Sequence, residues 1–91
     1  MNARAHVIFS GRVQGVFFRD NTEHKAEELG VKGWVRNLRD GSVEAVMEGS
    51  RERVEELIAW CRTRQPHATV SEAKVSWEEF RGEFKGFSVR R

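Results

Sequence analysis

One cysteine and one proline are all that the 91 residues hold of either type. A lone thiol cannot close an internal disulfide, so the chain suits a reducing compartment and is expected in the cytoplasm. Long apolar runs are missing too. Met1-Asn2-Ala3-Arg4-Ala5-His6 leads only into Val7-Ile8-Phe9, too brief for a signal peptide or a membrane span, and no membrane partner is expected. Neither sign of charge prevails: 16 Lys and Arg against 14 Asp and Glu leave +2. That excess can attract small anions. It does not form the concentrated basic stripe of a nucleic-acid binder, so no nucleic acid is expected as a partner.

The usual chemical motifs are absent as well. There is no HExxH, no CxxC pair and no cluster of histidines with carboxylates, so no metal and no cofactor is expected. His6, His24 and His67 fall at a strand start, an exposed helix position and a loop, and read as surface or turn histidines. Cys61 lies on an apolar helical stripe, which suits a core residue better than a nucleophile. No glycine loop ends in Lys-Ser or Lys-Thr, which argues against nucleoside triphosphate chemistry.

What remains is a composition with 33% charged and 38% hydrophobic residues, that of a soluble globular protein. The length suits one domain over residues 1–91 with a two-layer core. Ala5 to Ser10 reads as a strand. Phe18, Thr22, Ala26 and Leu29 recur at helical spacing, giving a helix over about 18–29 with Gly30 as its stop. Val31 to Leu38 and Ser42 to Glu48 read as two strands joined by Arg39-Asp40-Gly41, with Val31, Gly33, Val35 and Asn37 on one face. Gly49-Ser50 is expected to break the sheet, and Ser50 to cap a helix whose Val54, Leu57, Ile58 and Cys61 form one stripe. Arg62 to His67 reads as a loop, since Pro66 cannot continue a helix. Val70 to Trp77 is a further strand, Glu78 to Glu83 a turn, and Phe84 to Arg90 a possible last strand. A helical crossover on each side of a hairpin makes a split βαβ arrangement. It predicts an α+β fold, with an antiparallel sheet of four to five strands covered on one face by two helices.

The stretch Gly11-Arg12-Val13-Gln14-Gly15-Val16-Phe17-Phe18-Arg19 joins the first strand to the first helix. Such a glycine turn can aim consecutive backbone N–H groups, with the positive end of the helix dipole, at one anion. Arg19 stands at the helix entry, where its guanidinium can grip a phosphate or carboxylate. Taken alone, glycine also serves tight turns that bind nothing. By the same token an arginine there also suits a solvated charge, and an asparagine before a hairpin, as at Asn37, also suits a turn.

The residues Gly11-x-Val13-Gln14-Gly15-Val16-x-Phe18-Arg19, then Gly33-Trp34-Val35-Arg36-Asn37 and Asp40-Gly41-Ser42-Val43, closely resemble the acylphosphatase family, in order and spacing and nearly end to end. The resemblance implies a ferredoxin-like fold and hydrolysis of acyl phosphates to a carboxylate and inorganic phosphate. It implies that Arg19 and the amides of Gln14, Gly15, Val16, Phe17 and Phe18 bind the phosphoryl group, and that Asn37 positions the attacking water. The chemistry agrees. A leaving carboxylate, whose acid has a pKa of roughly 4, departs without being protonated. If the transition state is loose, water needs positioning more than a strong base. The partner implied is a small-molecule acyl phosphate, acted on by a monomer. Arg64-Gln65-Pro66-His67 departs from the glycine-proline pair that family members often carry there. A non-catalytic anion-binding module and an RNA-binding sheet are the competing readings, the latter disfavoured because no RNP-like run of aromatic and basic residues occurs.

Overall fold

Strand periodicity decides which residues go inside. Along the first strand Ala5, Val7 and Phe9 have no exposed surface, while His6 and Ile8 between them are half-buried on the other face. The computed structural model covers residues 1–91 and holds β1 (Asn2–Arg12), α1 (Phe18–Leu29), β2 (Lys32–Asn37), β3 (Val43–Ser50), α2 (Arg51–Thr63), β4 (Thr69–Glu78) and β5 (Phe87–Arg90). The strands form one sheet in the order β4-β1-β3-β2-β5. The first four pair antiparallel, as expected, and β5 joins the edge strand β2 in parallel. This is the ferredoxin-like α+β fold.

One face of the sheet supplies Ala5, Val7, Phe9, Val35, Val43, Ala45 and Met47 to the core. Helix α1 meets it with Phe18 and Ala26, and α2 with the anticipated Val54, Leu57, Ile58 and Cys61. The rings of Phe9 and Phe18 pack tilted at 5.2 Å between centroids, joining β1 to the first turn of α1. Burial pushes the Cys61 thiol up to about 11, against hydrogen bonds with Thr22 and Gln65 that lower it, so at neutral pH it is an inert core group.

Several boundaries differ from the expectation. Strand β3 runs through Gly49 to Ser50, paired with Ala3 and Asn2, because β1 begins earlier than its apolar run. The sheet therefore does not break at Gly49. Ser50 ends the strand and still caps α2, its hydroxyl accepting from Arg53 N–H at 3.3 Å. Helix α2 continues to Thr63, and β5 starts at Phe87 rather than Phe84. The loop after α2, where the sequence departs from the family pattern, is held by Gln65. Its buried Nε2 donates to Thr22 Oγ1 at 2.7 Å and to the Phe18 carbonyl at 3.2 Å.

Chain direction concentrates three strand ends. Both β1 and β2 are antiparallel to β3, and β5 is parallel to β2, so β1, β2 and β5 all finish at one end of the sheet. Phe9 and Asn37 flank the same residue, Val43, from its two sides. The loop leaving β1 and the last residue of β2 are thereby neighbours.

Candidate active site

The loop from Val13 to Phe17 connects the end of β1 to α1. Just before it, the pairing of β1 with β4 shifts register between Ser10 and Gly11, although Gly11 and Arg12 stay paired with Val70 and Thr69; Gly11 has φ +119, and an added Cβ would run into the Thr69 carbonyl. Farther on, Gly15 (φ +74) and Phe17 (φ +60) are both left-handed, with Val16 of negative φ between them. Alternation of this kind turns successive N–H groups toward one side, making a concave seat for an anion. None of the backbone hydrogen bonds outside helices and strands is donated by the N–H groups of Gln14 to Phe18. Helix α1 also starts without a side-chain cap, so its first amides and the positive end of its dipole face outward.

A cleft of about 400 Å³ opens at this point. Of the residues picked out from sequence, Gly15, Phe17, Phe18, Arg19 and Asn37 line it together. The side chains of Gln14 and Val16 turn elsewhere. Val16 is buried in the core, and Gln14 Nε2 donates to the carbonyls of Leu38 and Ser42, each at 2.8 Å. Those carbonyls bracket the β2–β3 turn, which is closed by Leu38 N–H to Ser42 O at 2.9 Å. Asp40 braces the same turn, accepting from Ser42 N–H at 3.0 Å and from its hydroxyl. These bonds to Ser42 hold the Asp40 carboxyl below its ordinary range. Gln14 thus ties the β1–α1 loop to the turn that follows Asn37, a side-chain part that the backbone reading of this residue did not contain.

Arg19 is half-buried, and its Nη1 donates to the Arg90 carbonyl of β5 at 3.3 Å. One nitrogen is steadied by the last strand, and Arg19 is among the residues that line the cleft. Four lining residues escaped the sequence reading: Val13, Asp20, Val89 and Arg91. Val89 and Arg91 are separated from the loop by most of the chain, and only the parallel pairing of β5 brings them in. Asp20 is the acidic residue of the first helical turn and favours the dipole, yet opposes a bound anion. Phe17 is the exception among the aromatics, a phenylalanine in left-handed backbone that remains 74% exposed. Such backbone costs a bulky residue roughly 1–3 kcal/mol.

The Acylphosphatase family model matches residues 5–89. The chain belongs to the acylphosphatase family. An acylphosphatase of Pelotomaculum thermopropionicum is 54% identical over 87 residues, covering 96% of this chain and 95% of the relative. Another, from Haloquadratum walsbyi, is 56% identical over 88 residues, covering 97% and 94%. Among solved structures, an acylphosphatase from Coxiella burnetii superposes with a TM-score of 0.91 at 40% identity, over 98% of this chain and 93% of that one. The Bacillus subtilis acylphosphatase gives 0.93 at 28% identity, covering each chain entirely at 100%. Family membership makes the protein a hydrolase of the acylphosphatase class, whose substrates are small acyl phosphates. No helix is long and apolar enough to cross a membrane.

Proposed function

We propose that this chain hydrolyses the carboxyl-phosphate bond of an acyl phosphate without a metal ion, using Arg19, Asn37 and the loop amides. The observation that carries the reading is a single cleft bordered by Arg19, Asn37 and a loop whose N–H groups are unpaired. The phosphoryl oxygens accept from the amides of Gln14 to Phe18 and from the Arg19 fork, which hold the group and balance its charge. The Asn37 carboxamide has both a donor and an acceptor, so it can orient a water in line with the bond to be broken, and it does not titrate. The water oxygen bonds to phosphorus as the phosphorus–acyl oxygen bond breaks. The carboxylate leaves with the electron pair, and the proton lost by the water passes to the phosphate product or to solvent.

Neither end of this reaction calls for a strong acid or base. The leaving carboxylate has a conjugate acid of pKa roughly 4 and needs no proton, and a loose transition state asks little of the nucleophile. Orientation and fixed charge are then sufficient, effects worth several kcal/mol each. One chain supplies every named group, in keeping with a monomer.

Benzoyl phosphate, assayed with and without chelator, tests the reading. Hydrolysis at the same rate in both is expected. Loss of activity with chelator, restored by added metal, would overturn the metal-free mechanism. Binding of inorganic phosphate without any hydrolysis would make the chain an anion-binding module instead.

A further inference from the structure

We infer that the acyl half of the substrate is an apolar, ring-sized group seated on Phe17, which makes Phe17 a specificity-determining residue; this rests on the acyl phosphate reading above. The other phenylalanines show what is unusual about it. Phe9 and Phe18 are buried completely or nearly so, Phe87 is 6% exposed and Phe80 38%, whereas Phe17 is 74% exposed. Its backbone is left-handed, a conformation in which glycine or asparagine sits with less strain than a phenylalanine. Neither burial nor backbone preference accounts for a benzyl side chain here, and Phe17 is one of the residues that line the cleft. An exposed aromatic held at the rim of a polar site offers what the polar groups lack, a surface for the part of a ligand that carries no charge.

The rest of the cleft agrees with that division. Its volume of about 400 Å³ is within the range of pockets for whole organic ligands (roughly 300–1,000 Å³) rather than for a phosphoryl group alone. The amides and Arg19 account for the anionic end. Val89, half-buried in the lining, is the second apolar side chain with accessible surface, because Val13 and Phe18 are almost entirely covered. A benzoyl or branched alkyl group fits against Phe17 and Val89. An acetyl group is too small to gain much from them.

The test compares selectivity within each variant, so that any change in phosphate binding cancels. The ratio of kcat/KM for benzoyl phosphate to that for acetyl phosphate is measured for wild type, Phe17→Asn and Phe17→Trp. Asparagine tolerates the left-handed backbone without offering a ring, and the ratio is expected to fall about tenfold, the worth of one aromatic contact with its buried area. Tryptophan is expected to keep it. The same ratio is read from inhibition by benzoylphosphonate and acetylphosphonate, which bind without being cleaved. An unchanged ratio in Phe17→Asn, or an equal fall in Phe17→Trp, overturns the apolar seat. Wild type that cleaves neither phosphate yet prefers benzoylphosphonate through Phe17 overturns the hydrolytic reading and leaves the seat standing.

Discussion

The two ends of β1 are built on opposite terms. At its start, the buried Arg4 guanidinium meets three carboxylates, Glu48 at 3.1 Å, Glu78 at 3.0 Å and Glu83 at 2.7 Å, with the Phe84 ring stacked 5.4 Å away. Glu48 takes a further hydrogen bond from Arg81 N–H at 2.8 Å, which pins the segment between β4 and β5 to the sheet. At its other end the chain leaves the sheet into a loop with unpaired amides, two left-handed residues and an exposed phenylalanine. One end satisfies its polar groups internally and adds rigidity. The other leaves them unpaired and stores strain, a difference that functional sites commonly show from their scaffold.

Removing a group from the open end should therefore cost activity, and removing one from the closed end should cost stability. The largest effect is expected from Arg19→Ala. Turnover of benzoyl phosphate should fall by roughly 10³ to 10⁵, the range for an arginine that stabilises a transferring phosphoryl group, and inhibition by inorganic phosphate should disappear with it. Arg19→Lys should recover little, since an ammonium cannot reproduce the fork. Next, Asn37→Ala should lower turnover by about 10² to 10⁴ while leaving phosphate inhibition in place. Equal loss of both would contradict the separate tasks given to these two residues.

At the closed end, Arg4→Ala strands a buried carboxylate and should cost about 3–5 kcal/mol in urea unfolding, with kcat of the folded fraction unchanged. Acid should expose the same cluster. Burial pushes the Glu48 carboxyl up, but the Arg81 N–H and the Arg4 guanidinium outweigh that and hold it below its ordinary range. A carboxyl lowered by folding lends stability above its unfolded pKa of roughly 4.3 and withdraws it as pH falls through the lower folded value. Wild type should therefore lose stability below about pH 4, and Arg4→Ala should lose less there because the partner is already missing. The smallest effect sharpens the contrast most. Phe17→Gly relieves left-handed backbone and should raise stability by about 1 kcal/mol, a few degrees in Tm for a domain of this size. If it destabilises the protein instead, Phe17 belongs to the scaffold and the contrast between the ends is lost.

Much of this was legible beforehand. Helix α1 lies within the expected bounds, Ser50 caps α2, and the apolar stripe of α2 is the buried one. Arg19 and Asn37, singled out by two signature segments, border one cleft. The misses share a cause. Arg4 fell outside the expected strand, which began at Ala5, yet it belongs to β1 and is buried, where three carboxylates, two of them more than 70 residues away, compensate it. Gln65 lies in the expected loop, but its burial was not foreseen: its amide reaches Thr22 and Phe18 of α1. Nothing local to Val89 or Arg91 indicated that they would line the cleft.

The sequence alone determined what neighbours along the chain can settle: the alternation of strands, the spacing of helical stripes, the caps, and a glycine turn with an arginine at a helix entry. Each depends on contacts within a few residues, where propensity and periodicity operate. Tertiary structure decided the rest: which way β5 runs, what compensates Arg4, the hold of Gln14 on the turn after Asn37, and the placing of Val89 and Arg91 beside the β1–α1 loop. Those depend on register between strands far apart in the chain. Shifting one strand by a single residue would turn every one of its side chains to the opposite face, so only the assembled sheet can specify them.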